Sequence, residues 1–282
     1  LRVISIFSFV GIMLGVTTLI IVMSVMNGFR SELTQRILGF NSHINIKPYQ
    51  SNIDNDFYFN LKSKYQKQGK IIKTYNGEAV ILINNTAKGV LIRGLEEKDI
   101  NELDFFNKNI IDGDLVDFSK GKIIIGKQLA IELGVVVGDE INIMSSSMVS
   151  TPAGNITKQS LFKISSVFSS GVYEFDRGVV FFILNDSLSF FERNIEDINL
   201  EVFLKDPMKA NIYKDEIQNM NSNFSVYSWV DQNKSFFSAL KVERNVMFLI
   251  LTLIIIVAAF NIISGLTILI KNKTKEIAVL RS

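Results

Sequence analysis

Two uninterrupted apolar runs stand near the ends of the chain, and an ordinary mixture of polar and apolar positions fills the stretch between them. Neither run, Val3 to Met26 or Val246 to Ile270, contains a charged residue. At about 1.5 Å of rise per residue, either one as a helix crosses the ~30 Å hydrocarbon core of a bilayer. A signal peptide has a shorter apolar region and a small-residue cleavage site, whereas the first run ends in Met26-Asn27-Gly28-Phe29-Arg30. Past that run, Phe29, Leu33, Ile37 and Leu38 keep a helical period through Arg30, Glu32, Gln35 and Arg36 until Gly39 offers a stop. At the other boundary Trp229, Phe236, Phe237, Leu240 and Val242 lead into Val246 without Gly or Pro, which predicts one long helix. The expected organisation is therefore a first transmembrane helix at 1–27, an α+β domain with helical stalks at 28–245, a second transmembrane helix at 246–270, and a cytoplasmic segment beginning at 271–282. Lys271, Lys273, Lys275 and Arg281 follow the second run and favour a cytoplasmic flank; Arg30, Arg36, Lys241 and Arg244 flank the other side, and since long domains cross largely regardless of charge, 27–245 is expected outside the cytoplasm.

Between the stalks, short apolar alternations predict strands at Ile44–Lys47, Ile71–Tyr75, Ala79–Ile83, Gly89–Arg93, Lys122–Ile125, Glu140–Met144, Phe162–Phe168, Gly178–Ile183 and Asn199–Leu204. Helical periods fall near Phe57–Gln66, Glu96–Phe105, Lys127–Leu133 and Lys209–Met220, the third stopping at Gly134 as a C-terminal cap. The order gives an α+β unit with a β-rich insertion around 90–185. One segment, 145–160, follows neither period and is far longer than a hairpin turn. It is read either as a surface loop or as a protruding β-arm that a partner grips, with Met148, Val149 and Ile156 as its apolar contacts.

Composition narrows the chemistry. The chain of 282 residues has a formal net charge of +2, which does not suit a polybasic nucleic-acid binder. It has no cysteine and one histidine, His43, so disulfides, thiolate chemistry and His/Cys metal sets are excluded. His43 is read as a satisfied histidine. Gly121 to Gln128 approaches the phosphate-loop spacing, but Gln128 stands where a hydroxyl must meet Mg²⁺ and three isoleucines fill the loop. Asp112, Asp114 and Asp117, like Glu174 and Asp176, complete no metal or catalytic set. No catalytic residue, cofactor or metal site is expected in this chain. The apolar runs carry more: Gly11 and Gly15 form a small-residue stripe, and Asn261 and Ser264 put polar groups where further protein or a cavity must meet them. Met23 and Met26 offer adaptable apolar surface, for lining a cavity or for plain lipid contact. The sequence starts without methionine and stops in a charged stretch, so it is expected to belong to a longer polypeptide.

The residues Gly15 to Arg30 with Leu38-Gly39 resemble the first span of the LolC/LolE permeases of the lipoprotein-releasing ABC transporter. Trp229, Asn233, Phe236-Phe237, Met247-Phe248 and Ala258 to Ser264 resemble that family's second span, and Glu276 to Arg281 the stretch after it. The pattern Gly126-x-x-Leu129-Ala130 to Gly134-x-x-x-Gly138-Asp139 is similar to MacB- and FtsX-type permeases more widely. The resemblance implies a four-span membrane subunit with a MacB-like α+β periplasmic domain in a bacterial inner membrane. Its partners would be a cytoplasmic ATPase holding ATP and Mg²⁺, a second permease (a copy or a paralogue), membrane lipid, the lipoprotein and the periplasmic carrier LolA. It places the carrier-recruiting loop at Thr151, Pro152, Gly154, Lys158 and Gln159, with Ser160 where the family often has arginine. Two other readings stay open: a MacB- or FtsX-like mechanotransmission permease without need of the arm, and a two-span sensor signalling to a cytoplasmic enzyme.

Overall fold

A computed structural model describes residues 2–49, 52–83, 86–151 and 154–281. In chain order its elements are α1 (Arg2–Phe40), β1 (Ile44–Pro48), α2 (Asn55–Tyr65), β2 (Gly69–Ile83), β3 (Thr86–Leu95), α3 (Glu97–Glu102), α4 (Asp104–Asn109), β4 (Ile110–Gly113), β5 (Lys122–Gly126) and α5 (Lys127–Leu133). There follow β6 (Glu140–Thr151), β7 (Gly154–Phe168), α6 (Tyr173–Gly178), β8 (Val179–Ile183), α7 (Leu184–Phe191), β9 (Asn199–Leu204), α8 (Ala210–Met220), β10 (Phe224–Ser228), α9 (Trp229–Gln232) and α10 (Lys234–Arg281). The chain divides into two units, 1–34 with 233–282, and 35–232.

The first unit is a pair of helices, each with a stretch long and apolar enough to cross a membrane, Phe9–Phe29 and Lys234–Ile268. Their side chains stay apolar outward: Phe9, Leu14, Ile20 and Val25 on α1 and Phe248, Leu249, Leu253 and Phe260 on α10 are all exposed. An apolar surface of this extent suits a hydrocarbon surround or the packing of further helices. α1 continues unbroken to Phe40, through the polar period after Arg30. The long helix expected from Trp229 is interrupted: α9 is a single turn, and Asn233 breaks it from α10.

In the second unit the strand pairings close on themselves. β2 pairs β3, β3 pairs β8, β8 pairs β5, β5 pairs β7, β7 pairs β6, and β6 returns to β2. The ring's interior is filled by Ile81, Ile92, Ile123, Ile125, Ile141, Ile143, Ile164, Val180 and Phe182. α5 seals it with Leu129 and Leu133, and Gly134 at φ 67° ends that helix in the left-handed conformation that glycine adopts without strain. A second core, outside the ring, packs Phe106, Phe118, Phe168 and Phe181.

Strand β2 is long enough to serve two sheets. Its second half belongs to the ring, while its first half pairs β9, which is followed by β1 and β10. One face of this extension buries Ile44, Ile46, Leu200, Val202, Phe224 and Val226 against Tyr58 and Leu61 of α2 and Ile217 of α8. The outer edge, β10, is closed by a side chain. Gln218 donates through Nε2 to the Phe224 carbonyl (2.8 Å) and accepts from the Val226 N–H (3.1 Å). The two strands expected at Ile71–Tyr75 and Ala79–Ile83 are one continuous strand, and the helix expected at Glu96–Phe105 is two, broken at Leu103.

His43 sits where α1 gives way to the sheet and is 6% exposed. Its Nδ1 accepts from the Leu204 N–H (2.8 Å), which puts the ring proton on Nε2, directed to the Leu38 carbonyl at 3.3 Å. Its backbone accepts from the Trp229 N–H (2.9 Å). The expectation of a satisfied histidine holds, and burial lowers its pKa below the ordinary 6.5.

Candidate functional site

The segment 145–160 is the β-arm rather than a loop. β6 and β7 run on past the ring and pair with each other from Met148↔Thr157 to Thr151↔Gly154. The exit is marked by a bulge: β6 takes four steps from Met144 to Met148 while β7 takes two from Gln159 to Thr157. Such a bulge bends and twists the strand pair, which turns the arm out of the ring's wall. Up to Ser145 the strand is still laddered to Ala79 of β2.

The side chains at the root divide between anchoring and exposure. Phe162 turns inward onto Phe182 and Phe190, with ring centroids 4.4 and 5.6 Å apart. Its neighbour Leu161 turns outward and is 65% exposed, and Met148 on the arm is 70% exposed. Lys158 is committed to the domain: Nζ donates to the Ser189 carbonyl at 2.7 Å and lies 3.7 Å from Glu192. Gln159 accepts from Asn142 Nδ2 at 3.2 Å and remains exposed. Thr151 ends β6 and Gly154 opens β7 at φ 115°, while Pro152 lies outside the described residues. The structure thus places Thr151 and Gly154 at the arm's end and Lys158 and Gln159 at its root.

In the helical unit, Met23 and Met26 come together with Met247, Phe248 and Leu251 around a cavity of about 200 Å³. Asn27, Glu243 and Arg244 complete its lining, so a mostly apolar space carries a charged rim. The Gly11/Gly15 stripe is only half used among the described residues. A Cβ on Gly15 would meet Ile254 Cγ2 at 3.9 Å, while one on Gly11 meets nothing within 4 Å. Ser264 is exposed on α10, and the Asn261 side chain lies outside the described set. The near-phosphate-loop segment is buried strand β5, and the space above Gly126 is filled by the Asp176 backbone, 2.0 Å from where a Cβ would stand.

Sequence reasoning missed a third feature, a cleft of about 570 Å³ in the sheet-bearing unit. Its floor holds Arg93 and Glu201, paired at 2.6 Å and 6% and 1% exposed. Thr74 Oγ1 and Asn76 Nδ2 each donate to Glu201 Oε1 at 3.3 Å. These residues are scattered along the chain. The available signal was the alternation itself, a polar side chain between apolar neighbours in Ile44-Asn45-Ile46 and Leu200-Glu201-Val202.

Comparison with known proteins matches residues 5–220 to the family described as the MacB-like periplasmic core domain. The chain is 32% identical over 285 residues to the lipoprotein-releasing system transmembrane protein LolC of Neisseria meningitidis serogroup B, covering 99% of this chain and 68% of that relative. It is 31% identical over 278 residues to the LolC protein of Haemophilus influenzae, covering 96% and 68%. Among solved structures, the periplasmic region of MacB from Actinobacillus actinomycetemcomitans superposes with a TM-score of 0.45 at 9% identity, covering 71% of this chain and 94% of that one.

Proposed function

This chain belongs to the LolC/LolE family of ABC-transporter permeases built on a MacB-like periplasmic core domain, and from that premise we propose how its parts share the release of lipoproteins from the membrane. The observation that carries the reading is the extent of the match: the LolC relative aligns through both apolar helices, the domain and the arm together.

The physical task is uphill. Each methylene drawn out of a bilayer costs about 0.8 kcal/mol, and a lipoprotein anchor has several acyl chains. The energy comes from a partner ATPase that binds ATP and Mg²⁺ on the cytoplasmic side, and a second permease completes the pathway through the inner membrane. The cavity under Met23, Met26 and Met247 holds part of an acyl chain, since unbranched thioethers adapt to chains of different shape. The arm recruits the periplasmic carrier LolA through Thr151, Pro152, Gly154 and Gln159. Lys158 serves this by bracing the arm's root against α7.

The test uses the assembled transporter in proteoliposomes with a lipoprotein and the carrier. Photo-reactive residues at Pro152 and Gln159 are expected to trap the carrier, and deletion of 149–159 is expected to stop transfer while ATP hydrolysis continues. Transfer that persists after the deletion, or cross-links arising only from remote sites such as Val116, would overturn the assignment.

A further inference from the structure

The two apolar runs both change character at the cavity in the helical unit. Met26 closes the uncharged run of α1 and Val246 opens that of α10, so the cavity straddles the level where hydrocarbon gives way to headgroups. On the apolar side of that level stand Met23, Met26 and Met247; on the polar side stand Asn27, Glu243 and Arg244. Apolar at depth and charged at the rim, the space has the polarity profile of a bilayer lipid, an acyl chain beneath a charged head.

The rim is not spent on the protein itself. Arg244 and the Asn27 side chain have no hydrogen-bond or ion-pair partner among the described residues. Glu243 precedes Arg244 directly, and consecutive residues on a helix do not face each other, so the two charges reach the rim separately. A guanidinium at headgroup depth meets phosphate oxygens through parallel N–H donors, and the Asn27 amide adds another donor. Glu243 on the same rim repels a purely anionic head and suits one whose phosphate is accompanied by an ammonium. An acyl chain alone, the part of a cargo that this cavity is read to hold, leaves the Arg244 and Asn27 donors unanswered.

We propose that the cavity is a site for a zwitterionic glycerophospholipid of the surrounding bilayer, with its phosphate on Arg244 and Asn27, its ammonium toward Glu243 and one acyl chain among the methionines. The lipid fills the site between cargoes, and a cargo's chain takes its place. That exchange rests on the transport reading, whereas the lipid site stands on the cavity alone. Swapping one acyl chain for another changes little in apolar burial, so the hold of the rim on the headgroup sets how readily a cargo enters.

The experiment places the assembled transporter in nanodiscs of phosphatidylethanolamine and phosphatidylglycerol, without lipoprotein, carrier or ATP. Two trace probes carry the same diazirine-bearing acyl chain, one a phosphatidylethanolamine and the other a diacylglycerol, which lacks the phosphate. Mass spectrometry scores the label on peptides holding Met23 and Met26 or Met247. The phosphatidylethanolamine probe is expected to label them about tenfold more than the diacylglycerol, the factor of one charge-assisted contact. Arg244→Gln is expected to bring that ratio to about one, and Arg244→Lys to keep most of it because the charge stays. Phe260, 66% exposed on α10, is expected to be labelled without headgroup preference in every variant. Diacylglycerol label on the methionine peptides of Arg244→Gln shows that the cavity is still formed. A ratio near one in the unmodified protein, or a preference that survives Arg244→Gln, overturns the lipid site. Added lipoprotein is expected to lower the phosphatidylethanolamine label; a label that it leaves unchanged overturns the exchange, and with it the cargo's use of this cavity, while the headgroup preference separately decides the lipid site.

Discussion

Replacing His43 by leucine removes both ring bonds from the point where α1 meets the sheet. The Leu204 N–H, 2.8 Å from Nδ1, is left buried without an acceptor, at about 1–3 kcal/mol. The longer bond to the Leu38 carbonyl, at 3.3 Å, adds about 0.5–1 kcal/mol. A loss of about 1.5–4 kcal/mol at pH 8 is therefore expected. The chain's single tryptophan makes the measurement local. Trp229 is 2% exposed, bonds the His43 carbonyl through its N–H, and holds the Pro207 carbonyl through Nε1 at 3.0 Å. Urea unfolding of the detergent-solubilised protein, followed by tryptophan emission, gives the midpoint for each variant. The pH dependence has a definite sign. Burial holds the folded imidazole below 6.5, so the unfolded chain takes up the proton first as pH falls. The wild type's His43 contribution is thus complete above about pH 6.5 and is lost progressively below it. His43→Leu has no such term, so the stability gap narrows between pH 7 and pH 5. A gap under about 1 kcal/mol at pH 8, or one constant down to pH 5, would refute the assigned hydrogen bonding.

Asp99 predicts the opposite sign. Burial, reinforced by Glu96, raises its pKa from 3.8 to about 6, so the ionised folded form is destabilised and stability falls as pH rises through that value. Asp99→Asn should be more stable on the order of 1–3 kcal/mol at pH 8 and equal to wild type near pH 4, by the same unfolding assay. Arg93→Leu strands the Glu201 carboxylate and should cost about 3–5 kcal/mol, while pairing it with Glu201→Leu recovers most of that in a double-mutant cycle. Gln218→Ala uncovers the Phe224 carbonyl and Val226 N–H on the outer edge strand. It should produce concentration-dependent self-association in light scattering, with the monomer's unfolding midpoint changed by about 1 kcal/mol or less.

Features with a local cause were legible in the sequence. The two apolar helices follow from uncharged runs, and the α5 stop follows from Gly134, whose left-handed φ ends the helix. The strands of the ring were visible because Ile123, Ile125, Ile141 and Ile143 must be apolar where they fill its interior. Long-range causes left no such trace. β4 and β10 are held by partners far along the chain, and β10 is finished by Gln218 rather than by its own pattern. The arm escaped both periods because, beyond the bulge, its two strands pair with each other from Met148↔Thr157 to Thr151↔Gly154 and take no register from the ring's core. Met23 and Met26 were legible as adaptable surface, but their meeting with Met247 and Leu251 needed the helix pair. The polar floor of the cleft was least visible, since Asn45, Asn76, Arg93 and Glu201 come together only across neighbouring strands.

The closed ring gives the arm an unusual freedom. β6 and β7 satisfy their neighbours in the barrel wall before they leave it, so nothing distal to the bulge is needed to seal the core. Residues 146–157 can be lengthened, shortened or exchanged between relatives without baring a hydrogen-bonding rim. The sequence of the arm and the integrity of the scaffold are therefore separable traits, and the arm can change while the body that bears it stays the same.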